Sequence, residues 1–304
     1  MQALRFNDAQ AFMSRSFLFV PADSEKKLAN ARKSKADALI LDLEDSVQKD
    51  ARPRARRLVQ EFLGDASEAE LWVRINSLDS ADALDDLREI LPAAPFGIVL
   101  PKPIGARDVN QLSMLIDVLE QESDLPAGQT VILPIVTEQP AALFRLHEYA
   151  EATPRLRGLT WGAEDLSTAI GATASRDDAG GWLPPYELAR SMTLFAAAAA
   201  GVPAVDTVYT DFRNLKGLAD YASKARRDGF GGMLAIHPEQ VEVINEAFMP
   251  SSVEVERAQK IVDLFAANPG TGTLGMDGEM IDRPHLLQAK HILEIAARSD
   301  RNTK

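Results

Sequence analysis

The chain has 304 residues, 46% of them apolar, 26% charged and none cysteine, with a formal net charge of −12. That length and composition suit a soluble globular protein with a large core, and the acidity argues against a general nucleic-acid or membrane-surface role. The lack of cysteine excludes disulfides, thiolate catalysis and zinc–thiolate sites.

The first 14 residues read as an irregular lead-in or a short helix. Arg5, Asp8 and Arg15 interrupt the first twenty residues, so no secretory signal is expected, and the longest apolar run, Leu194–Val202, is too short to span a bilayer. A cytoplasmic location follows as an expectation. Ser16–Val20 predicts a strand, with Asp23 and Ser24 as candidate caps for a helix over 25–35. Ala38–Asp42 predicts a second strand ending in the acidic run Asp42, Glu44 and Asp45, followed by a helix over 49–63. Strands are predicted over 71–76 and 97–101, each followed by a helix with apolar residues at helical spacing. Val131–Val136 leads to Glu138 and a helix over 140–150. The strand over 158–161 runs into Gly162-Ala163-Glu164-Asp165, and the Gly- and Pro-rich stretch 171–185 is a candidate lid loop. A helix over 186–200, a strand over 202–209 containing Asp206, a helix over 213–227 and a strand over 232–236 complete the series.

Continuous apolar strands alternating with amphipathic helices indicate a parallel sheet covered by helices. Eight such units without a dinucleotide-type glycine turn favour a (β/α)8 TIM barrel over 1–250. Residues 251–304 read as a helical C-terminal extension able to cover a site on the same or a neighbouring protomer.

In such a barrel chemistry sits at the C-terminal strand ends. Here those ends carry Asp42, Glu44, Asp45, Arg74, Asn76, Lys102, Glu138, Asp165, Asp206, Asp211 and His237. An unpaired buried carboxylate is costly. Glu138 and Asp165, from two adjacent strand ends, therefore read as oxygen ligands for a hard divalent cation, with helix-capping acids as the plainer alternative. Arg74 reads either as a clamp whose planar fork grips a substrate carboxylate and oxyanion or as an ion-pair partner within the sheet. Lys102, held extended between two prolines, is either a Schiff-base nucleophile or the partner of nearby acids. His237 is at most a substrate contact. The basic cluster Lys26, Lys27, Arg32, Lys33 and Lys35 is a solvated face or a receiver of phosphates.

Seven segments, Arg15–Pro21, Ala36–Val47, Val73–Asn76, Leu100–Lys102, Gly162–Asp165, Ala235–Pro238 and Gly278–Asp282, together resemble the citrate lyase β-subunit-like branch of the HpcH/HpaI aldolase superfamily. The resemblance implies a (β/α)8 barrel, Mg2+ and Claisen-type cleavage or condensation of acyl-CoA thioesters to a keto acid. It implies that Glu138 and Asp165 hold the metal and that Arg74 holds the substrate oxo and carboxylate groups. It also implies that the backbone of Gly162, Ala163 and Glu164 receives the keto-acid carboxylate. The rim residues themselves place Glu44 and Asp45 as hydrogen-bond partners of Arg74 or of metal-bound water, with Lys102 at the same mouth. Lys26 or Lys27 would lie near the CoA phosphates. Asp282 would serve as general acid/base in a neighbour's site, which implies a homo-oligomer, a trimer or hexamer. Two departures stand out: Pro103-Ile104-Gly105 replaces an acid the family often carries there, and Gln139-Pro140 follows Glu138 where Thr or Ser is common. A thioesterase on the same site, a β subunit acting on an acyl-carrier protein and a metal-free Schiff-base aldolase are the alternative activities.

Overall fold

The computed structural model describes residues 14–178 and 180–302. Eight parallel strands run β1 (Ser16–Pro21), β2 (Ala38–Asp42), β3 (Glu70–Arg74), β4 (Gly97–Leu100), β5 (Val131–Pro134), β6 (Leu159–Thr160), β7 (Ala204–Asp206) and β8 (Gly232–Ala235). Their lateral order is β5-β4-β3-β2-β1-β8-β7-β6. The remaining edge is closed by bridges from Ile132 to Leu156 and Ile135 to Thr160, and the Val136 N–H donates to the Thr160 carbonyl at 2.8 Å. The sheet is thus a barrel, closed at the β5–β6 seam by a ladder too short to form a regular strand pair.

Side chains alternate between the two faces of a strand. Phe17, Ile40, Trp72, Val99, Leu133, Val205 and Leu234 form one packed cluster. Two residues further along, on the same faces of β2 and β3, come Asp42 and Arg74. The barrel is therefore filled by apolar side chains lower down, and polar groups begin only at the strand exits.

Helices α1 (Glu25–Ala31), α2 (Arg52–Leu63), α3 (Asp82–Ile90), α4 (Ala106–Glu122), α5 (Pro140–Leu143), α6 (Ala163–Ala169), α7 (Pro184–Ala200), α8 (Leu215–Asp228) and α9 (Gln240–Ala247) follow the strands. Ser24 caps α1, its hydroxyl accepting from the Lys27 N–H at 3.4 Å. The helix expected over 140–150 is instead one turn of α5 followed by a 3-10 segment, Leu146–Glu151. Leu146 and Tyr149 are its buried residues, and a spacing of three matches the 3-10 repeat. The candidate lid is anchored rather than free: Arg176 stacks 3.5 Å from the Trp182 ring, and Trp182 packs on Trp161 with centroids 5.1 Å apart. Its indole N–H also donates to the Tyr221 hydroxyl at 3.0 Å. The lead-in over residues 1–13 lies outside the described residues.

The chain divides into two compact units, the first ending at Asn245 and the second starting at Glu246. The second contains α10 (Ser252–Ala267), a hairpin of β9 (Thr273–Met276) and β10 (Glu279–Asp282), and α11 (Arg283–Asn302). The extension expected to be helical thus also contains a two-stranded hairpin. Asp277 and Gly278 both take positive φ, 53° and 83°, which suits the tight turn favoured between twisted strands. Ala258, Ile261, Ile281 and Ala289 form this unit's own small core. Among the described residues no helix is long and apolar enough to cross a membrane.

At the N-terminal face of the barrel a buried ion network fastens α4 to β5. Glu120 accepts from Arg155 at 2.6 and 2.9 Å and from the N–H groups of Gly128 and Thr130 at 2.9 and 2.8 Å. Burial alone would raise the Glu120 carboxyl, but Arg155 and the two N–H groups outweigh it and bring it down to about 2. An acid lowered on folding stabilises the fold above its ordinary value and ceases to do so as the pH falls through the folded value. Glu120→Gln is therefore expected to cost on the order of 3 kcal/mol at neutral pH, with the gap to the wild type closing between pH 4.5 and about 2, as read from urea midpoints across that range.

Candidate active site

Five consecutive barrel elements deliver charge to one mouth. β2 ends in Asp42, β3 in Arg74, β4 leads to Lys102, β5 to Glu138, and Asp165 lies in the first turn of α6 after β6. Because Asp42 and Arg74 are register partners on adjacent strands, the Arg74 Nε and Nη2 each donate to the Asp42 carboxylate at 2.7 Å. Burial works against Asp42, but Arg74, the Ser46 side chain and the Glu44 N–H hold its carboxyl below the usual range. Of the two readings open for Arg74, its fork thus makes the ion pair with a neighbouring strand's acid. What remains is Nη1, 3.1 Å from Glu44 and 3.5 Å from Asp45. The guanidinium also lies 4.8 Å from the Phe19 ring, a cation–π contact that fixes its plane.

Lys102 is not extended: its φ is +55°, a left-handed conformation that strains a non-glycine residue. That twist serves two chains of contact. Its N–H donates to Glu138 Oε2 at 2.5 Å and its carbonyl accepts from Gln139 Nε2 at 3.1 Å. Its ammonium donates to Glu44 at 2.5 Å and Asp45 at 3.2 Å and lies 3.7 Å from Asp165. Burial disfavours the charge, yet these acids outweigh it and hold the ammonium above its ordinary value. A Schiff-base lysine needs the opposite shift, so Lys102 is an ion-pair residue here.

Glu138 is 3% exposed. Burial pushes its carboxyl up to about 8; the Lys102 N–H opposes this, and the charges of Asp165 and Glu44 add to it. Burial likewise raises Glu44, whose Oε2 is buried without a hydrogen-bond partner. The mouth therefore holds more carboxylates than its two cations neutralise at close range. Gly162 makes room for this crowding, because a methyl group there would lie 2.8 Å from Glu138 Cγ. Gly162 precedes α6 and supplies no capping side chain, so the first N–H groups of that helix find no side-chain acceptor in it. Among the described residues no group of three or more His, Asp or Glu side chains has metal-ligand spacing. A pair of hard carboxylates does suit Mg2+, which keeps most of its positions for water and substrate.

A profile of the HpcH/HpaI aldolase/citrate lyase family matches residues 15–238. The chain belongs to this family. It is 34% identical to the citrate lyase subunit beta of Haemophilus influenzae over 290 residues, covering 93% of this chain and 97% of that one. It is 33% identical to a (3S)-malyl-CoA thioesterase of Cereibacter sphaeroides over 288 residues, covering 93% and 95%. Among solved structures it is similar to the Mycobacterium tuberculosis protein CitE in complex with magnesium, acetoacetate and coenzyme A. That match has a TM-score of 0.80 and 30% identity over 94% of this chain and 99% of that one.

Other rim residues of this family member fall into place by their surroundings. Asp206 is fully buried and accepts from Arg190 at 2.8 and 3.0 Å, Trp161 at 2.7 Å and Tyr221 at 3.1 Å. It is a structural anion, closed to a cation at the mouth. Asp211 is exposed. His237 stacks on Phe212 at 4.9 Å, and its N–H donates to Gln240 Oε1 at 3.2 Å. Lys26 and Lys27 are exposed in the first turn of α1, on the strand-exit side. Arg32 and Lys35, from the same basic cluster, pair with Asp65 and Glu242 at 2.7 Å each. In the second unit Asp282 lies 2.5 Å from His285 Nδ1.

Sequence pattern does not single out Asp86 or Gln240, both fully buried and both bonded to the loops behind the mouth. The available signal for Asp86 was its position: Ala83, Asp86, Leu87 and Ile90 are the buried face of α3, and an acid at apolar helical spacing needs a partner.

Arg74→Met leaves Asp42 buried without its cation and is expected to cost roughly 3–5 kcal/mol of unfolding free energy. Arg74→Lys, which keeps the charge but not the fork, is expected to cost less than half of that. Urea denaturation of the two variants checks the order.

Proposed function

We propose that the protein is a Mg2+-dependent carbon–carbon lyase that cleaves or forms a 3-hydroxy-carboxyacyl-CoA of malyl-, citramalyl- or citryl-CoA type. The observation that carries this is the joint placement of Arg74, Glu138 and Asp165 at one barrel mouth with a surplus of carboxylate. It is supported by relatives solved with magnesium and acetoacetate, pyruvate or oxaloacetate.

Glu138 and Asp165 would hold the Mg2+. When bound, the ion supplies Lewis acidity to the oxygen whose charge changes. Arg74 Nη1 would orient the oxo group, and Asp42 would keep the guanidinium plane fixed while it does so. The N–H groups of Gly162, Ala163 and Glu164 would receive the oxo-acid carboxylate. Glu44 and Asp45 would hold Lys102 and Arg74 in place and keep the mouth negative enough to retain a divalent ion. In the cleavage direction a general base at the mouth would take the hydroxyl proton, the carbinol becomes the keto group as its bond to the thioester α-carbon breaks, and the electron pair passes to the thioester as an enolate, which takes a proton at carbon. Asp282, supplied by a neighbouring protomer, would give that proton. Lys26 or Lys27 would meet the CoA phosphates. A second copy of the chain and an acyl-CoA would then be the protein's partners.

Thioesterase output is the second reading, favoured by the (3S)-malyl-CoA thioesterase relatives. A carrier-protein-dependent β subunit is the third, favoured by the relatives named citrate lyase subunit beta. A panel of CoA thioesters assayed with and without Mg2+, with keto acid and free CoA measured separately, separates them. Keto acid with acyl-CoA supports the lyase; free CoA without keto acid supports the thioesterase. Silence on every CoA ester, with activity restored by a carrier protein, supports the subunit.

Glu138→Gln and Asp165→Asn are each expected to weaken Mg2+ binding at least about tenfold by titration calorimetry. Asp282→Ala is expected to abolish turnover while Mg2+ binding stays at the wild-type level; full activity in that variant would remove Asp282 from the mechanism.

A further inference from the structure

Asp86 lies on α3, outside the barrel, and is 0% exposed. Its Oδ2 accepts both donors of Asn76, the backbone N–H at 2.8 Å and the amide Nδ2 at 2.7 Å. Its Oδ1 accepts from Arg56 Nε on α2 at 2.6 Å. Asn76, 2% exposed just beyond β3, passes the connection on: Nδ2 also donates to the Leu43 carbonyl at 3.1 Å. Leu43 is held on its other side as well, since its N–H donates to the Arg74 carbonyl at 2.9 Å. Leu43 sits between Asp42, which grips Arg74, and Glu44, which grips Lys102.

We propose that Asp86 is a positioning residue for the oxo-acid site: it acts through Asn76 on the Leu43 carbonyl and so sets the 42–45 segment against Arg74 and Lys102. The inference rests on the assignment of Arg74 to the oxo acid. The Leu43 carbonyl belongs to the same peptide unit as the Glu44 N–H, which donates to Asp42 Oδ1 at 3.0 Å, so tilting that unit disturbs the hold on Asp42 as well as the position of Glu44. A carboxylate is the one side chain of this size that accepts on both oxygens; an amide would turn an N–H toward either Arg56 or Asn76. The three donors that surround Asp86 thus require its charge. Loss of that charge frees Asn76 and, with it, the peptide that places the mouth's anions. A misplacement of this kind costs binding and rate out of proportion to its size.

The test is oxaloacetate binding to the full chain in excess Mg2+, by titration calorimetry at a temperature where every variant is folded. Asp86→Asn is expected to weaken binding at least about tenfold. Glu120→Gln, which breaks a buried carboxylate–arginine network at the opposite face of the barrel, is expected to stay within about twofold despite lowering the melting temperature. Asn76→Ala leaves the Asp86–Arg56 pair in place, is expected to weaken binding as Asp86→Asn does, and decides the matter if Asp86→Asn does not fold. Wild-type affinity in the Asp86 or Asn76 variant, or an equal loss in Glu120→Gln, overturns the relay. Arg74→Lys reads the assignment separately: a loss there beside an unchanged Asp86→Asn sinks the relay alone. Unchanged binding in Arg74→Lys, or no binding by the wild-type protein, sinks the assignment and the relay with it.

Discussion

The rim of this barrel is built on the bidentate pair between Arg74 and Asp42. It ties β3 to β2 at the level where the apolar filling of the barrel ends. Both partners are nearly shielded from water. Such a pair gains less from attraction than desolvation costs unless its geometry is good and its remaining atoms are bonded. Here Asp42 also takes the N–H groups of Glu44 and Ser46, so the same carboxylate that fixes the arginine folds the acidic turn back over it. Fold and site are continuous at this point: the pair that joins two strands also aims the remaining guanidinium nitrogen, Nη1, at Glu44 and Asp45.

Around that pair the mouth accumulates more anion than it can settle. Glu44 and Glu138 are both pushed upward by burial, and Glu138 stands near Asp165 and Glu44. Lys102 offsets part of this, at the expense of a left-handed backbone that brings its N–H to Glu138 while its ammonium reaches Glu44 and Asp45. Strain at such a position is characteristic of sites where the surroundings over-determine the geometry. A hard cation at the two remaining carboxylates would relieve the surplus, which is why the donor set and the electrostatics favour the same ion.

The family to which the chain belongs includes relatives named for carbon–carbon cleavage and relatives named for thioester hydrolysis. At its barrel mouth this chain carries a fixed guanidinium and a surplus of buried carboxylate. In the second unit Asp282 stands at the end of a hairpin with His285 against it.

From the sequence by itself came the eight strand–helix units, the placement of polar residues at strand ends and the pairing of Glu138 with Asp165 as ligand candidates. These are local facts: period two in a strand and helical spacing between strands follow from backbone geometry. The Asp-Gly turn at 277–278 was equally legible as a hairpin signal, but it lay hidden in a run of glycines. Only the tertiary structure decided where each charge is spent. Arg74 turns its fork to Asp42, Asp206 disappears into a network with Arg190, and Lys102 twists to serve two anions. Asp86 reaches the site through Asn76 from a helix outside the barrel. An ionic partner is chosen by proximity across strands that are distant in sequence, and burial then fixes how strongly that choice is enforced.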